Sequence, residues 1–456
     1  MQLTDFLFLF AFLPAALICA ALTGNRPHAR NALLLAMSVL FCAASGLPGL
    51  LAAAIEILAA FFFGRALARA GEPKRRKCIL ALGIVFAAGL LCYFKYTNFI
   101  LQTLRLPKVS VLPAPVGVSF LTFLLISYLA DVYRGRIPAE TRFSRFFLYA
   151  LYFPKAAQGP LCRYGDFSAQ LDGCTQDAAL PDEGVSRLIL GLGKKVLLSG
   201  AAGAVAKDAF GLPAASLTPV YAWAGAVCYA MQLYFDFSGY TDMALGLSLC
   251  FGIRLPENFN SPYLAVSVTD FWRRWHISLG AWMRDYVFYP FALSRPVSRL
   301  AKAAKGRFGA AFARALPAAL GNILVFALVG VWHGATSNYI LWGLYNGVIL
   351  AVTALLEPRY KRMNERCARL TASRGFHVFR VLRTFVIVNI GWFFDRCATA
   401  GDAVRMMGGV FARPEWAQVR LDNLGISPLD ARILAVGVLL LAAVSLLGEN
   451  GKVDVQ

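Results

Sequence analysis

The chain has 456 residues, of which 58% are hydrophobic and only 15% charged, with a mean hydropathy of +0.59. Soluble domains carry about 25% charged residues, so the composition excludes an ordinary soluble protein and predicts an all-α polytopic membrane protein. The net charge of +20 comes from 45 Lys+Arg against 25 Asp+Glu. These basic residues cluster between apolar runs, which is the positive-inside pattern of membrane loops rather than a nucleic-acid surface.

Asp5 to Leu22 reads as a first span. It has neither a basic leader nor a small-residue cleavage pattern, so an uncleaved helix is expected. Two coupled spans cover about Asn31 to Phe63, broken near Gly46-Leu-Pro48. The basic run Arg65 to Lys77 then marks a cytoplasmic loop, and counting spans backwards from it places the N-terminus outside. Cys78 to Tyr96 leads out, and Val116 to Val132 returns to a second basic patch at Arg134, Arg136, Arg142 and Arg145. From Phe146 to Phe167 the pattern is too interrupted by Pro and Gly for a straight span. A re-entrant or interfacial segment is expected there, because irregular backbone at membrane depth survives only under the cover of protein or a water-filled cavity.

Gly165 to Glu183 reads as a polar connector, Leu188 to Phe210 as a helix carrying Lys194 and Lys195, and Val220 to Tyr234 as the approach to the central region. Near the end, a span at Val381 to Phe394 leads out. Thr399 to Asp430 is expected to be an external loop, and Ala431 to Leu447 returns the C-terminus to the cytoplasm. The total is about eleven spans in one domain, 1–456, with N-terminal helices over 1–135, a catalytic core over 136–357 and C-terminal helices over 358–456. Among the ten cysteines there is no Cys-x-x-Cys pair, and most lie inside apolar runs (Cys19, Cys42, Cys92, Cys228, Cys250). They read as small buried hydrophobes, and no metal site is expected. No internal repeat of the transporter kind is visible.

Polar and ionisable residues concentrate between Tyr234 and Tyr289. The stretch reads Tyr234-Phe-Asp-Phe-Ser-Gly-Tyr-Thr-Asp-Met, then Pro256-Glu-Asn-Phe-Asn-Ser-Pro-Tyr263, then Phe271-Trp-Arg-Arg-Trp-His276-Ile-Ser-Leu. Such groups are costly at membrane depth and are generally kept there for function. On one continuous helix, Trp272, Trp275, Leu279 and Trp282 would share a face. By pattern alone that is an interfacial helix with tryptophans at headgroup depth, and a lone His276 on it is more often structural than catalytic.

His333 stands out more sharply. No Lys, Arg, Asp or Glu occurs between Arg314 and Glu357, a run long enough to cross about two bilayer cores. His333 lies near its middle, just before Gly334-Ala-Thr-Ser-Asn338. With both flanks basic, the chain goes out and returns, so His333 lies toward the far side while His276 lies close in sequence to a cytoplasmic loop. A capping or helix-packing histidine remains the bland alternative.

Gln232-Leu-Tyr-Phe-Asp-Phe-Ser-Gly-Tyr-Thr-Asp-Met-Ala, Pro256-Glu-Asn-Phe-Asn, Phe271-Trp-Arg-Arg-Trp-His276-Ile-Ser-Leu and Trp332-His333-Gly-Ala resemble the membrane-bound O-acyltransferase (MBOAT) family. The nearest likeness is to its alginate O-acetyltransferase branch, with the D-alanyl transfer protein of teichoic acid as a neighbour. Val116-Gly-Val-Ser-Phe, Ser127-Tyr-Leu-Ala-Asp-Val-Tyr-Arg-Gly135 and Gly159-Pro-Leu-Cys-Arg-Tyr-Gly-Asp-Phe167 extend the resemblance over most of the chain. Two stretches depart from it. Phe291-Ala-Leu-Ser-Arg295 replaces a Leu-Gly-Gly-Asn-Arg stretch, and Lys155 follows Pro154 where the family usually has Phe-Pro-Gln.

The resemblance implies a helical bundle around a central tunnel, in which two cavities meet at the histidine matched by His333. It also implies acyl transfer, most simply of acetyl, from a cytoplasmic thioester to an extracytoplasmic hydroxyl. The donor would be acetyl-CoA or an acyl-carrier thioester, with no bound cofactor. The acceptor would be an envelope polysaccharide or an extracytoplasmic acetyltransferase or esterase-like partner. A neutral imidazole suits the general-base role near pH 7. His276, with Asn258 and Asn260, would orient the donor or stabilise an oxyanion. Trp332, Arg273, Arg274 and Asp236 join the expected substrate-binding set, with Asp236 and Asp242 expected to hold Arg273 or Arg274 in ion pairs. The rival readings are D-alanyl transfer, an envelope-polymer transporter whose histidines relay protons, and a silent scaffold for an extracytoplasmic partner.

Overall fold

The computed structural model describes residues 1–24, 26–173, 180–212, 218–334, 336–397, 399–412 and 425–449. Among the described residues the fold is helical throughout, and its one β feature is an isolated antiparallel bridge between Phe259 and Trp275. Seven helices are long and apolar enough to cross a membrane, and Phe8–Thr23 and Val118–Tyr133 are shorter apolar helices. An all-α polytopic membrane protein is therefore what the chain folds into. The chain divides into two compact units, residues 1–192 with 239–257, and residues 193–238 with 258–456.

The first unit opens with a π-helical turn, Phe8–Phe12, that runs into α1 (Leu13–Thr23). α2 (Pro27–Ala43) and α3 (Leu47–Arg69) are separated at Gly46, whose φ of 134° is open to glycine alone. The expected break near Gly46-Leu-Pro48 therefore lies where two helices meet. α4 (Pro73–Thr103) and α5 (Val118–Tyr133) follow. Small residues let these helices approach closely: a Cβ on Gly64 would lie 2.7 Å from the Tyr128 ring, and one on Gly83 would lie 2.8 Å from Leu129. Arg76, at the start of α4, donates to the carbonyls of Val132 (3.3 Å) and Tyr133 (2.9 Å) at the end of α5. The two basic patches thus sit at the same end of these helices, as the charge pattern predicted.

The interrupted stretch after residue 142 becomes three short helices, α6 (Phe143–Leu151), α7 (Phe153–Ala156) and α8 (Tyr164–Ser168), before α9 (Leu180–Gly193). Phe153, from α7, packs its ring against Phe8, Phe12, Phe41 and Phe251. Part of the expected polar connector, residues 174–179, lies outside the described residues. Arg187 on α9 bonds Asp242 at 3.1 Å and Glu257 at 2.6 Å. Asp242 is therefore tied to Arg187 within the first unit.

The second unit begins with a π-helical turn, Lys194–Leu198, leading to α10 (Ser199–Gly211), and takes in the first part of α11 (Pro219–Cys250). α12 (Val268–Arg274), α13 (Ile277–Met283) and α14 (Tyr289–Ala292) are short. α15 (Arg295–His333) and α16 (Ser337–Arg366) then form the long hairpin expected of the uncharged run. α15 is interrupted at Gly309, where φ is 85° and the backbone is not helical. The hairpin closes tightly beside its turn: a Cβ on Gly343 would lie 2.3 Å from the Phe326 carbonyl, and one on Gly330 would lie 2.5 Å from the Tyr339 carbonyl. α17 (Ala368–Thr371), α18 (Arg374–Arg396), α19 (Ala400–Ala412) and α20 (Pro428–Glu449) complete the unit. The stretch expected to be an external loop thus contains a helix, α19, while residues 413–424 lie outside the described residues.

Candidate active site

The aromatic segment around Trp272 does not form the single helix its spacing predicts. α12 stops at Arg274, and His276 takes a left-handed backbone, φ 48° and ψ 52°, before α13 starts. The break has identifiable partners. The Asn260 N–H donates to the Arg274 carbonyl at 3.0 Å, and the Ile277 N–H donates to the Asn258 carbonyl at 2.9 Å. Pro256-Glu-Asn-Phe-Asn therefore serves as a short extended template that unwinds the helix at Trp275 and His276. A non-glycine residue in this region of φ/ψ space costs about 1–3 kcal/mol and persists where surrounding contacts over-determine it.

Asn258 makes the tightest of those contacts. It is fully buried, and its Oδ1 accepts from the Ser278 N–H (3.1 Å) and the Ser278 hydroxyl (2.9 Å), and lies 3.0 Å from His276 Nδ1. A backbone N–H only donates, so the atom facing it is the amide oxygen. An amide oxygen cannot donate in turn, so Nδ1 carries the proton and Nε2 holds the basic lone pair. The Asn258 Nδ2 amide is left with no hydrogen-bond partner among the described residues. Burial holds His276 well below its usual value, to about 3, and the nearby charge of His333 pushes in the same direction. His276 is thus neutral at physiological pH, and it is within electrostatic reach of His333.

The two histidines share one aromatic cluster. The Phe237 ring meets His276 edge-on at 4.7 Å and Phe259 at 5.1 Å, and Phe259 meets Trp275 at 5.1 Å. Trp275 contacts Trp392 at 5.7 Å, Trp392 stacks on Trp342 at 6.1 Å, and Trp342 meets His333 at 5.0 Å. Trp272 closes the network through Trp342 at 5.7 Å and donates from Nε1 to Asn346 Oδ1 at 3.3 Å. His333 itself is exposed at the end of α15, with Trp332 4.7 Å from its ring.

Several expectations need correction at this resolution of detail. Trp275 and Trp282 are buried inside the protein, 8% and 7% exposed, so they do not anchor a helix at headgroup depth. Asp236 pairs with Lys195 at 2.6 Å, and Arg274 pairs with Asp270 on its own helix at 3.1 Å. The expected pairing of Asp236 with Arg273 or Arg274 is therefore absent. Helical geometry explains it, because an i,i+4 carboxylate is always within reach. Arg273 and Asn260 are exposed, and Asn260 contributes its backbone rather than its amide to the break. Ser278, Trp342 and Trp392 belong to the cluster and were not anticipated. Ser278 lay in the quoted motif, whereas the two tryptophans gave no polar signal at all.

A buried imidazole and an exposed one thus share a single aromatic cluster in a multi-pass helical protein. Sequence comparison identifies its kind. Residues 138–390 match the membrane-bound O-acyltransferase family, and the chain belongs to that family and is an O-acyltransferase. It is 35% identical to a protein named as a probable alginate O-acetylase in Pseudomonas putida, over 95% of this chain and 85% of the relative. It is 31% identical to a peptidoglycan O-acetyltransferase of Helicobacter pylori, over 89% and 78%. It is also 30% identical to a teichoic acid D-alanyltransferase of Bacillus subtilis, over 61% and 67%.

Proposed function

We propose that this enzyme moves an acetyl group from a cytoplasmic thioester, acetyl-CoA or an acyl-carrier thioester, across the plasma membrane. The acceptor is a hydroxyl on an envelope polysaccharide or on an extracytoplasmic esterase-like partner protein. The N-terminus lies outside and the C-terminus in the cytoplasm. The observation that carries this reading is the pairing of an exposed His333 with a buried, neutral His276 in one aromatic cluster. Acetyl is favoured over D-alanyl because the named O-acetylating relatives align with 95% and 89% of the chain, against 61% for the D-alanyltransferase.

In the proposed step the His333 imidazole takes the proton of the acceptor hydroxyl as its oxygen attacks the thioester carbonyl. A C–O bond forms, the C–S bond breaks, and the departing thiolate takes up the proton. His333, being exposed, is reachable by an acceptor. His276 is too weakly basic to compete for that proton and holds its place through Asn258. The unpartnered Asn258 amide is a ready donor to the developing oxyanion, a type of interaction worth about 10²–10³-fold in rate.

Surface-polymer acyl content, measured beside total polymer, tests the reading. His333→Ala should abolish acylation in cells that retain normal levels of the protein, because losing a general base costs about 10²–10⁴-fold. His333→Gln should fail nearly as completely, and Asn258→Ala should fall about 10²–10³-fold. Wild-type acyl content in His333→Ala would sink the assignment. Loss of the polymer itself, with remaining chains still acylated, would favour a transporter.

A further inference from the structure

α15 is two helices joined at Gly309. There φ is 85° and ψ 168°, a region essentially closed to any residue with a side chain, so the helical backbone stops and restarts. The part before the break, Arg295 to Phe308, has two unlike faces. Val297, Leu300, Ala301, Ala304 and Phe308 recur at i, i+3, i+4, i+7 and i+11, which is one stripe of a helix. Arg295, Arg299, Lys302 and Gly306 follow one another at i, i+4, i+7 and i+11 on the opposite side, with Lys305 and Arg307 on the flanks. No Asp or Glu occurs between Asp285 and Glu357, so nothing along the segment balances these positive charges. Val297 is buried, whereas Leu300 and Phe308 are 52% and 59% exposed. Arg295, Arg299, Lys302 and Lys305 are exposed as well. Phe308 meets Phe312 across the break at 4.9 Å, and the Arg307 guanidinium lies over the Phe308 ring at 5.7 Å.

From this arrangement we infer that residues 295–308 form an interfacial helix that binds anionic phospholipid. The apolar stripe sinks to the boundary between headgroups and acyl chains, and the basic face meets the phosphates. Position decides between a lipid and a protein partner. The uncharged run begins just after Arg314, so Phe308 lies at most about 10 Å along the helix from its start. That is comparable with the polar layer of a bilayer. An exposed stripe at that depth faces lipid, and an acidic protein would have to displace the lipid to reach it. A helix with an apolar face and a Lys/Arg-rich polar face takes up such a place, and each basic residue near an anionic surface strengthens the attachment. Arg307, on the flank, can lay its stem along the apolar side while its charge reaches the phosphates. Beyond Gly309 the chain runs on to His333, so the lipid holds the foot of the hairpin that carries this histidine.

The test uses the full-length chain in nanodiscs of phosphatidylcholine and phosphatidylglycerol in equal amounts, and again in native membranes. The photocrosslinker benzoylphenylalanine is placed singly at Leu300, Phe308 or Gly306. Gly306 samples the basic side, where an added Cβ would meet open space. After irradiation, Leu300 and Phe308 positions should give lipid adducts, with phosphatidylglycerol exceeding phosphatidylcholine about fivefold or more, and the Gly306 position should give few. Arg299→Gln, Lys302→Gln and Lys305→Gln made together should bring the two lipids near parity at the Leu300 position while lipid adducts persist. Equal labelling of the two lipids without those changes, or a preference undiminished by them, would overturn the anionic-lipid assignment. Adducts from the Leu300 and Phe308 positions to protein rather than lipid in native membranes would overturn it in favour of a protein partner.

Discussion

Lys155 is 2% exposed, and its Nζ makes no hydrogen bond among the described residues. The ammonium instead lies over the rings of Tyr149, at 4.2 Å, and Phe167, at 5.1 Å. Burial brings it down from its usual value to about 8. A lysine in the unfolded chain titrates at about 10.4, so the folded state carries the full penalty of the charge below about pH 8 and sheds it as pH rises from there toward 10.4. The penalty is about 3 kcal/mol at most, and the facing rings offset about 1–2 kcal/mol of it. Lys155→Met should therefore raise the apparent melting temperature at pH 7, and the gain should shrink by about pH 10. No gain, or a loss, at pH 7 would mean that the aromatic rings fully solvate the charge, and equal gains at both pH values would mean that the buried charge is not what destabilises the site. In the sequence, Lys155 was visible only as a departure from a family pattern; the rings that face it come from α6 and α8 and leave no local signature.

At the scale of an element, the segment from Val268 to Met283 shows what spacing can and cannot reveal. The i, i+3, i+7 pattern of Trp272, Trp275 and Leu279 is that of a continuous helix, yet the chain breaks at His276 because Asn258 and Asn260, ten to twenty residues away, supply competing hydrogen bonds. Tertiary bonds of this kind override local propensity and have no periodic trace. The His276–Asn258 pairing was legible, because both residues are polar groups stranded among apolar ones. The arginine partners were not, since several carboxylates of similar spacing were available. Their observed arrangement predicts different outcomes for adjacent residues. Arg274→Ala removes the partner of Asp270 on a short, half-buried helix and should lower protein levels, whereas Arg273→Ala, exposed, should leave them normal. Immunoblotting of membrane fractions decides this. Normal levels with abolished acylation in Arg273→Ala would instead place that guanidinium on the phosphate of the donor.

For the whole molecule, hydropathy and charge carried most of the information. The hairpin of α15 and α16 was readable because 42 consecutive residues between Arg314 and Glu357 lack Lys, Arg, Asp and Glu. The shared end of the two basic patches followed from counting, and the bonds from Arg76 to the end of α5 agree with it. The approach of His276 to His333 was not readable from charge, because it depends on tryptophans spread over three separate helices. In the proposed function, donor and acceptor would meet at this aromatic cluster. The most direct measurement seals the purified enzyme into liposomes that enclose a deacetylated envelope polysaccharide, with radiolabelled acetyl-CoA added only outside. Label should appear in the enclosed polymer with the wild-type enzyme and not with His333→Ala. Label confined to polymer on the same side as the donor, or undiminished labelling with His333→Ala, would contradict the proposed function.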